Sequence, residues 1–273
     1  MLPLRPGLLA AYALAVGIAS PPTLAGASAL GDWRESPELI TILLDGFEAG
    51  DACSWTESVG LGEICAATVI EVQSGVHAGD VGLSGVFLTA FSADHKHFWA
   101  ADALAGAAWN GIYFYRGPGA TVLDGSFQIG GSVDVSGTVA EFDASPPGET
   151  FTEILTGLPT TNAPAGSPPT PLTGVSVATL ASLASGEPYE GVLVQVSTVK
   201  VAASGASDQL TLQDNSGDTV VMDDLAFDYA ASSYPVGTCF ATVTGIMHVD
   251  GTNNVRILLP RLVADLVTGF GCL

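Results

Sequence analysis

Positive charge is the scarcest thing in this sequence. Its 273 residues include 7 Lys and Arg against 28 Asp and Glu, for a formal charge of −21. One of those cations, Arg5, lies in a segment expected to be removed, which leaves six. Nucleic-acid affinity comes largely from Lys and Arg displacing counterions, so an oligonucleotide is not an expected partner. Charge of either sign is sparse, at 13% of residues, yet 48% are hydrophobic, which argues against a disordered acidic chain. No apolar run reaches the roughly 20 residues a membrane helix needs. There is no Gly-rich phosphate loop with Lys and no G-x-S-x-G elbow, so neither nucleotide hydrolysis nor a nucleophile-elbow hydrolase is supported. Only four cysteines occur, without a C-x-x-C spacing, which counts against a four-thiolate metal site.

The N-terminus carries the marks of export. Arg5 is the only charge before Asp32, and Leu8 to Ala19 is a short apolar run broken by Pro21 and Pro22. Ala25-Gly-Ala27 and Ala27-Ser-Ala29 both present small-x-small cleavage sites, so residues 1–27 are expected to be a cleaved signal peptide. The protein is then secreted or extracellular, at the cell surface or in the periplasm. In such a compartment Cys53, Cys65, Cys239 and Cys272 are expected to form two disulfides. Three connectivities are open. Cys53–Cys65 with Cys239–Cys272 is favoured, because each pair sits at one end of the chain.

Residues 28–60 form a disulfide-containing N-terminal segment with Leu44-Asp-Gly-Phe-Glu-Ala-Gly-Asp51 at its centre. Asp45, Glu48 and Asp51 are oxygen ligands of the kind calcium takes, but without a full ligand loop they are expected to form a solvated turn pinned by Phe47 and Trp55. No cofactor and no metal site is expected; calcium, at these acids or at Gln213 to Asp218, is the alternative.

Beyond that point the chain uses one β-unit twice. In Gly131 to Phe142, Val133, Val135 and Val139 alternate with Asp134, Ser136 and Thr138; Ala241 to Val249 repeats the pattern. Period-two alternation marks half-buried strands, and Gly137 and Gly245 sit at the same place in each. Strands at Val81–Thr89, Phe98–Asp102, Gly111–Tyr115, Val133–Glu141 and Phe151–Ile154 have counterparts at Val194–Val201, Leu210–Asp214, Thr219–Met222, Ala241–Val249 and Val255–Leu259. Residues 61–157 are therefore expected to be a first OB-like β-domain and 176–273 a second, joined by a Pro-rich linker over 158–175. A short helix near Ala178–Ala184 precedes the second unit. The fold class is all-β: two tandem small Greek-key (OB-like) barrels, with a β-sandwich as the alternative.

The pattern G-x-V-x-V-x-G-x-V-x-E-F from Gly131, then Pro188-Tyr-Glu-Gly-Val-Leu-Val-Gln-Val196 and Leu258-Leu-Pro-Arg261, resembles the tandem OB-fold modules of secreted bacterial nucleases. In those proteins the modules precede an endonuclease/exonuclease/phosphatase-type domain. This sequence stops where that domain would begin, so no catalytic residue is carried over, and it lacks the cationic groove of a nucleic-acid-binding barrel.

The candidate binding residues are aromatic: Trp99, Trp109, Tyr113 and Tyr115, with Phe98 and Phe114 on the opposite strand parity. Such rings on a barrel face stack on sugars or bases, and the acidic surface favours sugars or a protein. Asp94-His95-Lys96-His97 would suit a transition metal only with further ligands. Gln213 to Asp218 reads as a hairpin turn. The expectation is thus a secreted, non-catalytic binding or adhesion module taking an extracellular glycan or protein. The alternative is an accessory or truncated relative of a secreted nuclease that contacts nucleic acid.

Overall fold

The computed structural model describes residues 65–142, 150–205, 207–251 and 253–273. The expected signal peptide, Asp45, Glu48, Asp51 and the expected Cys53–Cys65 pairing lie outside the described residues. The expected β-units are present as two closed five-stranded barrels in tandem. In chain order the first unit comprises β1 (Cys65–Ala66), α1 (Val69–Gln73), β2 (Gly79–Phe91), β3 (Phe98–Ala101), β4 (Ile112–Tyr115), β5 (Ser132–Phe142), β6 (Phe151–Thr156) and β7 (Thr160–Ala163). The second comprises α2 (Val177–Ala181), β8 (Leu193–Ser204), β9 (Leu210–Gln213), β10 (Thr219–Met222), β11 (Cys239–Asp250), β12 (Val255–Leu259) and β13 (Leu266–Thr268).

The first barrel closes in the order β2-β3-β4-β6-β5 and back to β2, with β4 and β6 parallel. The second closes as β8-β9-β10-β12-β11 and back to β8, with β10 and β12 parallel. Matching strands therefore occupy matching places. The repeated glycines do too. A Cβ on Gly137 would meet Leu155 O at 2.4 Å, and one on Gly245 would meet Leu259 O at 2.7 Å. Each marks where a long strand crosses its neighbour too closely for a side chain.

Strand alternation fills the first barrel. Val81, Leu83, Val86, Leu88, Phe98, Phe114, Val133, Val135 and Ile154 point inward. Phe98 and Phe114 stack with ring centroids 4.6 Å apart. The second interior holds Val194, Val196, Val199, Leu210, Leu212, Val243, Met247 and Leu258. A short helix covers each. Thr68 opens α1 with a capping box to Glu71, and Val69 and Val72 are buried against the first core. Ser176 caps α2, whose Val177 and Leu180 enter the second core.

Two features depart from expectation. The segment expected to be a linker contributes β7, which pairs antiparallel with the start of β5, Val133 opposite Thr161. Its four residues are exposed and it is bracketed by Pro159 and Pro164, which donate no ladder hydrogen bond, so it is a short edge strand. Strand β11 is not half-buried: from Val243 to Val249 every residue is buried, because its outer face lies against the first barrel.

Candidate functional site

The outer faces of the two barrels meet in a third apolar cluster. Ala90, Trp99, Tyr113 and Phe151 come from the first barrel; Leu193, Ala226, Ile246, Val249, Ile257 and Leu259 come from the second. Trp99 was expected to offer its ring to a ligand. It is 0% exposed, with its indole 4.8 Å from the Tyr113 ring and edge-on to His248 at 5.5 Å. A ring enclosed by protein cannot stack on a ligand, so Trp99 is a structural residue of the seam. His248 also lies 4.7 Å from the Phe151 ring and 5.1 Å from Tyr113. Burial in this aromatic box pushes its pKa down to about 4, keeping the imidazole neutral.

Polar groups pin the same seam. Glu190 accepts the Thr152 backbone N–H at 2.7 Å, and its other oxygen lies 3.5 Å from Nη1 of Arg256. Arg256 is itself buried and pairs with Glu187. Burial pushes Glu190 up to about 8 and the neighbouring-strand Glu153 up to about 7. Arg261 grips Asp265 through three N–H···O bonds of 2.9 Å, two from its guanidinium and one from its backbone, while Nη1 donates to Thr89 O in the first barrel.

At one edge of the seam the loops part to leave a cleft of about 770 Å³. The turn between β2 and β3 supplies Ser92, Ala93, Asp94 and His97; β4 supplies Tyr113; the segment after β10 supplies Asp224, Leu225 and Asp228. The two sides are tied by the Ala93 N–H donating to Leu225 O at 2.8 Å. The first turn is rigid for local reasons. The Ser92 hydroxyl donates to Asp94 at 2.7 Å and accepts the N–H groups of Lys96 and His97, while Lys96 Nζ pairs with Asp94 at 3.2 Å. His95 adopts a φ of 56° and stacks on Phe91, whereas His97 stacks on Tyr115 at 4.7 Å. The two imidazoles thus go to different aromatic partners. Among the described residues, no group of three His, Cys, Asp or Glu converges on a metal position.

His97 Nδ1 accepts the Arg116 N–H at 3.1 Å, so the proton of its neutral ring is on Nε2. Burial is the main reason its pKa is lowered. Ser92, Asp94 and His97 therefore line one cleft without forming a catalytic triad. The hydroxyl is spent on the carboxylate, and Nδ1 is spent on a backbone amide.

On the facing wall, burial raises the Asp224 carboxyl, and repulsion from Asp223, Asp208 and Asp228 raises it further. Asp223 is held by the Leu225 N–H and by Gln209 Nε2, and Asp208 by the Ala231 N–H. Tyr113 is 8% exposed and raised mainly by burial, then by Glu153. Of the four candidate aromatics, then, Tyr113 lines the cleft and Tyr115 supports it through His97. Trp109 is half-buried elsewhere, at a φ of 65°, donating its backbone N–H to Pro188 O at 2.6 Å. Asp224, Leu225 and Asp228 were not expected in a site. Their signal was the acid-rich run Asp223-Asp224-Leu-Ala-Phe-Asp228, which resembles any solvated loop until it is placed opposite Tyr113.

Gln213 to Asp218 is the expected hairpin turn: Asp214 accepts the Ser216 and Asp218 N–H groups, and Gly217 takes a φ of 93°. No protein-family model matches the chain, and no curated protein matches it.

Proposed function

We propose that this is an exported, non-catalytic binding module, in which two OB-type barrels are welded along a buried seam and present one cleft to an extracellular glycan or protein. The observation that carries this reading is the cleft itself: a volume in the range of small-ligand sites, an aromatic floor at Tyr113, and carboxylates at Asp94, Asp224 and Asp228. Two five-stranded barrels, each closed through one parallel pair, support the OB-type reading. The Cys239–Cys272 disulfide suits an oxidising compartment. Binding is favoured over catalysis because the serine and histidine of the cleft are both engaged in turn architecture.

Nucleic acid is disfavoured by the cations. Among the described residues, Lys96 pairs with Asp94, Arg116 donates to the carbonyls of Lys96, Thr121 and Gly157, and Lys200 donates to Leu273 O. Arg256 and Arg261 are committed to Glu187 and Asp265. Each phosphate contact would have to displace one of these.

Trp99 packs on Tyr113, so its fluorescence is a reporter for the cleft. Titration with neutral oligosaccharides and with peptides should change it for one class, and Tyr113→Phe together with Asp224→Asn should weaken that response. Binding that is indifferent to both substitutions would move the site elsewhere.

A further inference from the structure

The cleft carries negative charge that the protein does not neutralise. Asp94 is matched by Lys96, but Asp224 and Asp228 face the same space, and the remaining described cations are spent on other partners. Like-charge crowding from Asp223, Asp208 and Asp228 acts on Asp224, a cost that a bound cation would relieve.

A second observation is independent of charge. Tyr113 is more than nine-tenths buried, yet it lines the cleft, and its hydroxyl makes no hydrogen bond to the described residues. Its oxygen still reaches solvent at the cleft, so a polar group from a ligand can meet it there. Beside it, Ala93 and the exposed Leu225 form an apolar shoulder. An apolar stem could lie there while its polar head reaches the carboxylates, as Lys and Arg side chains do on protein surfaces.

We infer that the cleft recognises an ammonium or guanidinium group carried on an apolar stem, with Asp224 and Asp228 holding the cation and the Tyr113 hydroxyl and ring contacting its base. The inference rests on the cleft being the binding site and narrows its ligand to cationic chemistry. Partial desolvation between the two loops strengthens the attraction between the cation and the carboxylates.

The test is isothermal titration of the full chain at pH 7 and about 0.15 M salt. The probes are a free aliphatic triamine, a blocked tetrapeptide containing Lys and Arg, a neutral oligosaccharide and an acidic peptide. The expected result is binding of the triamine, the basic peptide or both, weakened at least tenfold by Asp224→Asn with Asp228→Asn. Tyr113→Phe should weaken it several-fold, and Asp218→Asn, which removes one charge in the β9–β10 turn, should leave it within twofold. Triamine alone would identify a free amine as ligand, and peptide alone a protein side chain. Equal weakening by Asp218→Asn would mean general attraction to an acidic surface and would overturn the inference. Oligosaccharide binding that Tyr113→Phe weakens would overturn the cationic assignment while leaving the binding module intact. Binding of none of the probes would count against both.

Discussion

Gly111 and Gly191 lie back to back across the two barrels, each occupying the space where the other's side chain would begin. A Cβ on Gly111 would sit 2.2 Å from Gly191 O, and a Cβ on Gly191 would sit 2.6 Å from the carbonyl of Gly111. Gly191 also holds a φ of +69°, a conformation that L side chains rarely adopt. Gly111 O accepts Gln73 Nε2 at 2.6 Å, so α1 is fastened to the same point. The obstacle on each side is backbone, which cannot rotate away. Gly111→Ala should therefore force the barrels apart at this end and cost roughly 1–3 kcal/mol or more. A chemical denaturation midpoint unchanged from the parent would refute the close contact.

Glu190 makes the seam sensitive to alkali. Its carboxyl is pushed from an ordinary 4.5 up to about 8, chiefly by burial. The unfolded chain releases this proton near 4.5 while the folded chain keeps it to about 8. Stability is thus full below pH 4.5 and is lost as pH rises through that window. Glu190→Gln can still accept the Thr152 N–H and has no charge to bury. The melting temperature of the variant relative to the parent should climb between pH 5 and pH 8. A difference that does not vary with pH would show that Glu190 is ionised in the folded protein at little cost.

His248 acts in the opposite direction. Its pKa falls from an ordinary 6.5 to about 4, so the folded state refuses a proton that the unfolded state accepts. Its contribution is present above pH 6.5 and is lost as pH falls toward 4. His248→Phe, which suits the surrounding Trp99, Tyr113 and Phe151 rings, should blunt the decline in melting temperature over that range. An unaltered acid limb would place the sensitivity in another group.

The Cys239–Cys272 disulfide spans 33 residues and ties the chain end back to the start of β11. Closing a loop of that size is worth about 3–4 kcal/mol on the chain-entropy account. Cys239→Ser with Cys272→Ser should lower stability by roughly 2–4 kcal/mol. The loss should show in a denaturation curve, with amide exchange rising first around β13. Exchange at β13 that matches the parent would mean that strand pairing alone holds this segment.

Single-stranded DNA should not bind measurably at about 0.15 M salt. Stacking on one or two rings is worth roughly 1–3 kcal/mol per base. The rings here are mostly in the seam, and the cations already have carboxylate or carbonyl partners. Fluorescence anisotropy with a labelled oligonucleotide checks this, and micromolar affinity would revive the nuclease-accessory reading.

Strand identity was legible because it depends on local alternation. Val133, Val135 and Val139 share a parity that only a strand can place on one face, and Gly137 and Gly245 recur at one position because both barrels need the same close crossing. The order of the units and the all-β class follow from patterns within short stretches and from their repetition, and the Cys239–Cys272 bridge is the favoured pairing because both cysteines lie at the same end of the chain. The use of the outer faces does not. Trp99 and Tyr113 fall on the outward parity of β3 and β4, and nothing local distinguishes a ring meant for a ligand from one meant for a neighbouring barrel. His248 likewise sits in a run whose polar members read as solvent-facing. Only the docking of the second barrel decided that Trp99 and His248 are buried and that Tyr113 keeps one edge on a cleft. The same docking set Asp224 and Asp228 opposite Asp94, more than 120 residues away in sequence. A seam joins residues by surface shape and burial, and neither has a period that a linear chain can display.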